Sequence, residues 1–239
     1  HACLSADLSV ARRSLELFAQ AQRTDGQLPA CAPAWLREPH EDFTLIWILA
    51  LRDYWTLTGD ASLMQDNWQA VERIWSSPTW EPGGSGLWNA HNKQLFIDWG
   101  IHREERQGRG HALLNILRLA ALHASADIAA GLGERIQAEA FSQEAETLKA
   151  TLKRELWLEK EGCFAVDLDT PKPGLHASIL GLEHGAGESE ALIAYLGRAL
   201  DSNLETVAAH GQHSGYVEIA FFAHLLEALG AHGKAPEAE

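Results

Sequence analysis

Residues 111–132 read HALLNILRLAALHASADIAAGL, and this stretch is the strongest indicator of the fold class. Wound as an α-helix, it places apolar side chains on nearly every side, so it predicts a helix that other parts of the chain must cover. Residues 43–51, 175–182 and 216–229 have the same character. The sequence therefore predicts buried helices at intervals along the chain.

Amphipathic helices alternate with these buried ones. Apolar side chains recur every three or four residues over 4–18, and charged residues occupy the opposite side. The same spacing is found over 64–75, 141–156 and 192–199. One outer and one inner helix together take roughly 60 residues, which is a weak internal repeat. An inner ring of buried helices inside an outer ring is the predicted all-α architecture, and 1–239 is predicted to be a single, partial domain.

The connecting segments differ in length on the two sides of each buried helix. After a buried helix the connection is short and contains glycine, which commonly ends helices. Before a buried helix it is long. In antiparallel helical hairpins the long loops all lie at one end, and such loops usually carry function. The long loops are 24–41, 77–110, 157–174 and 201–215, with small β-hairpins predicted at 87–99 and 156–168.

The charge of the chain limits its partners. Its 239 residues carry 33 acidic and 19 basic side chains, for a net charge of −14. Such a chain repels phosphate backbones and anionic membranes, so neither nucleic acid nor a membrane is a predicted partner. A neutral substrate fits best.

Known cofactor motifs do not occur in the sequence. It contains no P-loop, GxSxG or GxGxxG motif, and its 12 histidines form no HxxxH or HxH pair on one helix face. Cys3, Cys31 and Cys163 are widely spaced and form no CxxC pair. We therefore predict no cofactor, no metal and reduced thiols of the cytoplasmic type.

Two long loops combine indole rings with carboxylates. Indole faces stack on the C–H faces of a pyranose, and carboxylates bind hydroxyls or transfer protons, so this combination suits carbohydrate chemistry. Four of these residues also have a structural interpretation: Trp88 and Trp99 as core residues, Asp42 as a helix N-cap, and Glu104 as part of a solvated charge run. The residues concerned are Trp35, Glu41 and Asp42 in or next to the first loop, and Trp88, Asp98, Trp99, His102 and Glu104 in the second.

Several motifs occur in an order that resembles a known family. Residues 21–30, AQRTDGQLPA, resemble the Q-x-x-D-G-x-(I/L)-P stretch of bacterial α-L-rhamnosidases of the six-hairpin glycosidase type. Residues 42–47, DFTLIW, resemble the start of their next hairpin. Residues 96–100, FIDWG, followed by Asn115, resemble their F-x-D-W … N segment. A weaker similarity lies at 176–178, HAS.

The resemblance implies an (α/α)6 barrel, with about four of its six hairpins present. It also implies an inverting hydrolase that removes terminal α-L-rhamnosyl groups. Trp99 and Asp98 are then expected near the sugar, with Asp42 a weaker candidate. The family's acid motif, D-C-P-x-R-E, and base motif, G-A-T-x-x-W-E, do not occur here. We therefore expect a piece of a catalytic domain whose acid and base lie outside it, and whose open ends are covered by self-association or companion domains.

These considerations select two sets of residues. Asp98, Asp42 and Glu104 are the catalytic candidates within the chain. The substrate-binding candidates are Trp99, Trp88, Trp35, Glu41, His102 and His176.

Two other functions remain open. A sugar isomerase or epimerase on the same barrel would use His102, His176 or His213 as proton carriers. A non-catalytic carbohydrate-binding module would keep the fold without an acid and a base.

Overall fold

The computed structural model describes residues 8–34, 38–80, 82–91, 93–98, 107–210 and 219–233. Helices dominate, which confirms the predicted all-α class. The elements are α1 (Ser9–Gln20), α2 (Glu41–Thr58), α3 (Ser62–Trp75), α4 (Ala112–Leu132), α5 (Arg135–Leu156), β1 (Trp157–Leu158), β2 (Cys163–Phe164), α6 (Leu175–Glu183), α7 (Ser189–His210) and α8 (Ile219–Ala231).

The chain divides into two compact units. The first contains residues up to 81, together with 93–95 and 120–146. The second contains 82–92, 96–119 and 147–239. No observation tests the prediction of a single partial domain, which stays a prediction.

Helices α1, α2 and α3 pack together in the first unit. Leu45, Ile48 and Leu51 of α2 are fully buried, and burial of such side chains is the main favourable term in folding. The indole N–H of Trp47 donates to the Leu15 carbonyl at 3.1 Å, so this tryptophan is a satisfied core residue. Helix α2 ends at Gly59, whose φ of 70° is the left-handed conformation of a helix stop.

Helix α6 is the centre of the second unit and packs against α7, α8 and β2. All its residues from 176 to 182 are buried, as the sequence predicted. A Cβ on Gly181 would lie 2.6 Å from the Phe164 ring, so only glycine allows this approach. Strands β1 and β2 pair antiparallel, which confirms the β-hairpin predicted within 156–168.

The other predicted β-hairpin, 87–99, is wrong for the part of the loop that the structure describes. Residues 82–91 and 93–98 contain no β-strand, only a bridge between Pro82 and Trp88. The reason is that other groups take the backbone hydrogen bonds: Ala90 donates to the Gly108 carbonyl at 2.8 Å, and Gln94 pairs with Glu41 instead.

Helix α4 has the length and apolarity of a membrane span, but 83% of its most apolar window is buried in the protein. Its polar residues have internal partners. Asn115, which is fully buried, binds backbone groups of Trp88 and His111. We therefore interpret α4 as a core helix.

Two apolar faces are open to solvent. On α8, Phe222 is 42% and Leu226 41% exposed; the apolar composition of this helix predicts burial, whereas the expected partial ring leaves it facing solvent. Between α1 and α2 lies an apolar groove of about 330 Å³, lined by residues that include Phe18, Phe43 and Ile46. Such faces are common at interaction sites. The covering of open ends by companion domains or a second copy stays a prediction.

Candidate active site

The backbone immediately before Asp98 makes an unusual turn. The preceding residue, Ile97, has a φ of 59°, which is the left-handed region that β-branched residues avoid. Holding such a residue there costs on the order of 1–3 kcal/mol, and conformations of this kind concentrate at functional sites. The strained backbone therefore makes the following residue, Asp98, a candidate functional residue.

The carboxylate of Asp98 is bound to the imidazole of His176. Asp98 Oδ2 and His176 Nε2 are 2.9 Å apart, and the two residues are 2% and 7% exposed. His176 is the second residue of α6, and its ring contacts Phe221 edge-on at 4.7 Å. A buried charge needs a hydrogen-bonded partner, so each group makes the burial of the other possible.

This pair has defined chemical capacities. A carboxylate that binds one imidazole nitrogen fixes the orientation and tautomer of the ring. The second nitrogen can then bind a ligand hydroxyl or transfer a proton, and the carboxylate can accept further hydrogen bonds. Both residues are predicted site residues, and the structure brings them together.

Two further predicted residues, Glu41 and Asp42, form the start of α2. Both are buried, at 5% and 1% exposed, in the first turn of the helix, where the helix dipole favours negative charge. The N-cap is His40, so the interpretation of Asp42 as the N-cap is wrong: it lies two positions further along, inside the helix.

Glu41 is anchored to the loop residue Gln94. Its carboxylate accepts a hydrogen bond from the Gln94 N–H at 2.7 Å, and its own N–H donates to the Gln94 carbonyl at 3.2 Å. Burial raises the pKa of Glu41; the Gln94 N–H and the charge of Lys93 oppose this rise, and the charge of Asp42 adds to it. Buried carboxyls with raised pKa values are frequent at functional sites.

The loop that contains Gln94 is also held by contacts of Lys93, which the sequence did not indicate. Lys93 donates from Nζ to the Thr79 carbonyl at 2.7 Å and lies 5.4 Å from the ring centre of Trp80. Neither Lys93 nor Gln94 belongs to a recognisable motif. Backbone hydrogen bonds depend on loop conformation, which composition does not encode.

Trp88 is 3% exposed, and its contacts bear on whether it is a core residue or a platform for a sugar. Its backbone N–H donates to Asn115 Oδ1 at 2.8 Å, and its carbonyl accepts from Asn115 Nδ2 at 2.9 Å. The Arg118 guanidinium lies 4.4 Å from its ring centre, a cation–π contact. These contacts are those of a core residue, and the role of Trp88 as a sugar platform stays a prediction.

The remaining predicted site residues cannot be placed. Trp35, Trp99, His102 and Glu104 lie outside the described residues. Further along the chain, Arg109 and Asp169 form an exposed ion pair in which Arg109 Nε and Asp169 Oδ1 are 2.8 Å apart.

The chain belongs to the bacterial α-L-rhamnosidase six-hairpin glycosidase domain family, whose sequence model matches residues 3–237. This confirms the family resemblance and the predicted glycosidase fold. Among curated proteins, none matches the sequence of this chain.

Solved structures with the same fold include several rhamnosidases. A GH78 family rhamnosidase of Bacillus sp. GL1 is 20% identical with a TM-score of 0.76, over 95% of this chain and 24% of that protein. A rhamnosidase from Klebsiella oxytoca with rhamnose bound is 18% identical with a TM-score of 0.72, over 95% of this chain and 43% of that protein. An α-L-rhamnosidase of Streptomyces avermitilis complexed with L-rhamnose is 17% identical with a TM-score of 0.63, over 93% of this chain and 20% of that protein. This chain thus spans less than half the length of each.

Proposed function

We propose that this chain supplies sugar-binding loops of a glycoside hydrolase that removes terminal L-rhamnose from α-L-rhamnosides. The observation that carries the proposal is the buried Asp98–His176 pair. The chain belongs to a glycosidase family, and a carboxylate bound to an imidazole is a group that can recognise sugar hydroxyls. The rhamnose in two of the similar structures supports the sugar class.

Asp98 and His176 have binding roles in this proposal. A buried carboxylate accepts hydrogen bonds from neighbouring hydroxyls of a pyranose, and the bound imidazole keeps the carboxylate in one orientation. Because both groups are shielded from water, a hydroxyl that binds them gains more than it would at the surface. Trp99 would provide an apolar face for the sugar ring.

Glu41 and Asp42, in the first unit, are assigned the task of holding hydroxyls or positioning loops. The raised pKa of Glu41 makes it easier to protonate than an ordinary glutamate, and its protonated form can donate a hydrogen bond as well as accept one. Asp42, like Asp98 and Glu104, becomes a catalytic candidate only if the chain alone releases the sugar.

Hydrolysis with inversion needs two carboxyl groups roughly 6.5–9.5 Å apart, one acting as acid and one activating water. The acid and base motifs of the family, D-C-P-x-R-E and G-A-T-x-x-W-E, do not occur in these 239 residues. We therefore propose that the groups cutting the bond are not among the residues discussed above.

The test compares rhamnose release from an aryl α-L-rhamnoside by the full-length protein that carries this chain and by the chain alone. We expect release by the full-length protein and little or none by the chain. Failure of the full-length protein to release any sugar contradicts the proposal. Robust turnover by the chain alone contradicts the placement of acid and base, and variants of Asp42, Asp98 and Glu104 would then locate them.

A second candidate function is isomerisation or epimerisation of a sugar. The observation that favours it is the same pair, since a histidine oriented by a carboxylate is a common proton carrier. Incorporation of solvent deuterium at a sugar carbon would support this function over hydrolysis. A non-catalytic binding module predicts sugar binding without either reaction.

A further inference from the structure

A second cluster of titratable side chains lies in the other half of α6. Glu183, the last residue of α6, faces His224 of α8: His224 Nδ1 is 2.9 Å from one Glu183 oxygen and 3.2 Å from the other. Glu227 lies one turn further along α8, at the i,i+3 position that shares a face with His224. The potential ligand atoms of these three residues all lie within 4.8 Å of one another.

We propose that Glu183, His224 and Glu227 bind a divalent transition-metal ion of the Zn²⁺ type. The donor set combines one imidazole nitrogen with carboxylate oxygens, a combination that suits zinc and its neighbours better than Mg²⁺ or Ca²⁺, which take oxygen ligands. Water would complete the coordination.

The distances are compatible with a small ion. Bonds of about 2.0–2.2 Å to a tetrahedral centre place neighbouring ligand atoms about 3.3 Å apart. Glu183 and His224 are already within a few tenths of an ångström of this separation. Glu227 is exposed, so its side chain can rotate the remaining distance without disturbing the core.

The surroundings also favour a cation. The His184 Nε2 lies 4.0 Å from a Glu183 oxygen, so a second imidazole is close to the same carboxylate. Glu183 is at the carboxyl end of α6, where the helix dipole attracts positive charge. The Phe221 ring lies 5.2 Å from the His224 ring and restricts its movement.

This cluster is separate from the Asp98–His176 pair and does not depend on the proposed sugar chemistry. No pattern in the sequence indicates it, and the prediction of no metal followed from the absence of HxxxH and CxxC patterns. The donors come from two helices, with Glu183 and His224 41 residues apart, a spacing that no short motif describes.

The experiment titrates the metal-free chain with Co²⁺, followed by absorption, and with Zn²⁺, followed by calorimetry. We expect saturable binding of one equivalent. His224→Gln should abolish it, and Glu183→Gln and Glu227→Gln should each weaken it by at least about tenfold, since loss of even an outer-shell partner costs 10–100-fold. His232→Gln and Glu190→Gln, which change exposed residues of the same unit, are the matched controls and should bind as the wild type does.

Circular dichroism of each variant checks that it is folded; exposed Glu227 is the variant least able to disturb folding. Absence of one-equivalent binding overturns the proposal. Equal binding by wild type, His224→Gln and Glu227→Gln also overturns it, since the ion would then lie at other histidines.

Discussion

Asp98 and His176 are 78 positions apart in the chain, yet the carboxylate oxygen of one lies 2.9 Å from the imidazole nitrogen of the other. Both are almost completely buried. A hydrogen bond to a charged group contributes about 1.5–3 kcal/mol, so the pair links a loop firmly to the start of α6.

This linkage predicts non-additive losses of stability. Asp98→Asn and His176→Gln should each lower the free energy of unfolding by about 1.5–3 kcal/mol, and the double variant by clearly less than their sum. Urea denaturation of the four proteins measures this. Asp127→Asn is the control, because Asp127 is exposed and its ion pair with Arg52 is long, at 3.4 Å. Strictly additive losses would show that the two residues do not interact.

The raised pKa of Glu41 predicts that the stability difference between the wild type and Glu41→Gln depends on pH. Burial raises its pKa above the ordinary 4.5, so the folded chain binds this proton more tightly than the unfolded chain. The resulting penalty is absent below the unfolded pKa and grows as the pH rises through the folded pKa. Glu41→Gln, which keeps an acceptor for the Gln94 N–H, should therefore be more stable than the wild type at pH 7, with no advantage near pH 4.

Thermal unfolding between pH 4 and pH 7 measures the difference between the wild type and Glu41→Gln. The control is Glu139→Gln, at an exposed position of α5 in the same unit. A difference that stays constant across this range would contradict the raised pKa.

The hydrogen bonds of Asn115 predict that Asn115→Ala lowers the free energy of unfolding. Its side chain binds the N–H and the carbonyl of Trp88 and the carbonyl of His111, and Asn115→Ala leaves these buried groups without that partner. The Trp88 carbonyl keeps the His111 N–H as a donor, and the His111 carbonyl keeps the N–H of residue 115. The main cost therefore falls on the Trp88 N–H, and we expect a loss of about 1–3 kcal/mol in chemical denaturation. Gln65→Ala on the exposed side of α3 should change little. Equal stability of both variants would refute the anchoring role.

Two glycines predict opposite effects of one substitution. Gly181→Ala places a methyl group 2.6 Å from the Phe164 ring and should destabilise the chain by about 1–3 kcal/mol. Gly197→Ala, in α7, meets nothing within 4 Å and should stabilise it by about 0.5–1 kcal/mol. Melting temperatures of the two variants test this; shifts of the same sign would contradict the packing of β2 on α6.

The helices could be predicted because their signal is local. Apolar residues all around 111–132 require burial, and Gly59 ends α2 as its position after an apolar run suggests. Composition alone predicts burial of the α8 face with Phe222 and Leu226, and its exposure was expected only from the count of about four hairpins out of six.

The candidate site could be predicted only in part. Asp98 and His176 were both identified, but no sequence pattern states that they meet. The hairpin 87–99 was predicted around a turn at His91-Asn92-Lys93, whereas the described backbone binds Asn115, Gly108 and Glu41 instead. Such tertiary hydrogen bonds override local preference, and the Glu183–His224 contact is of the same kind.

Calorimetric titration of the chain with L-rhamnose tests the central claim most directly, using wild type, Asp98→Asn and the control Asp127→Asn. We predict saturable binding by the wild type and the control, and a dissociation constant about tenfold or more higher for Asp98→Asn, as expected for loss of a charged hydrogen bond. Absence of binding by the wild type, or equal affinity in all three proteins, would contradict the account.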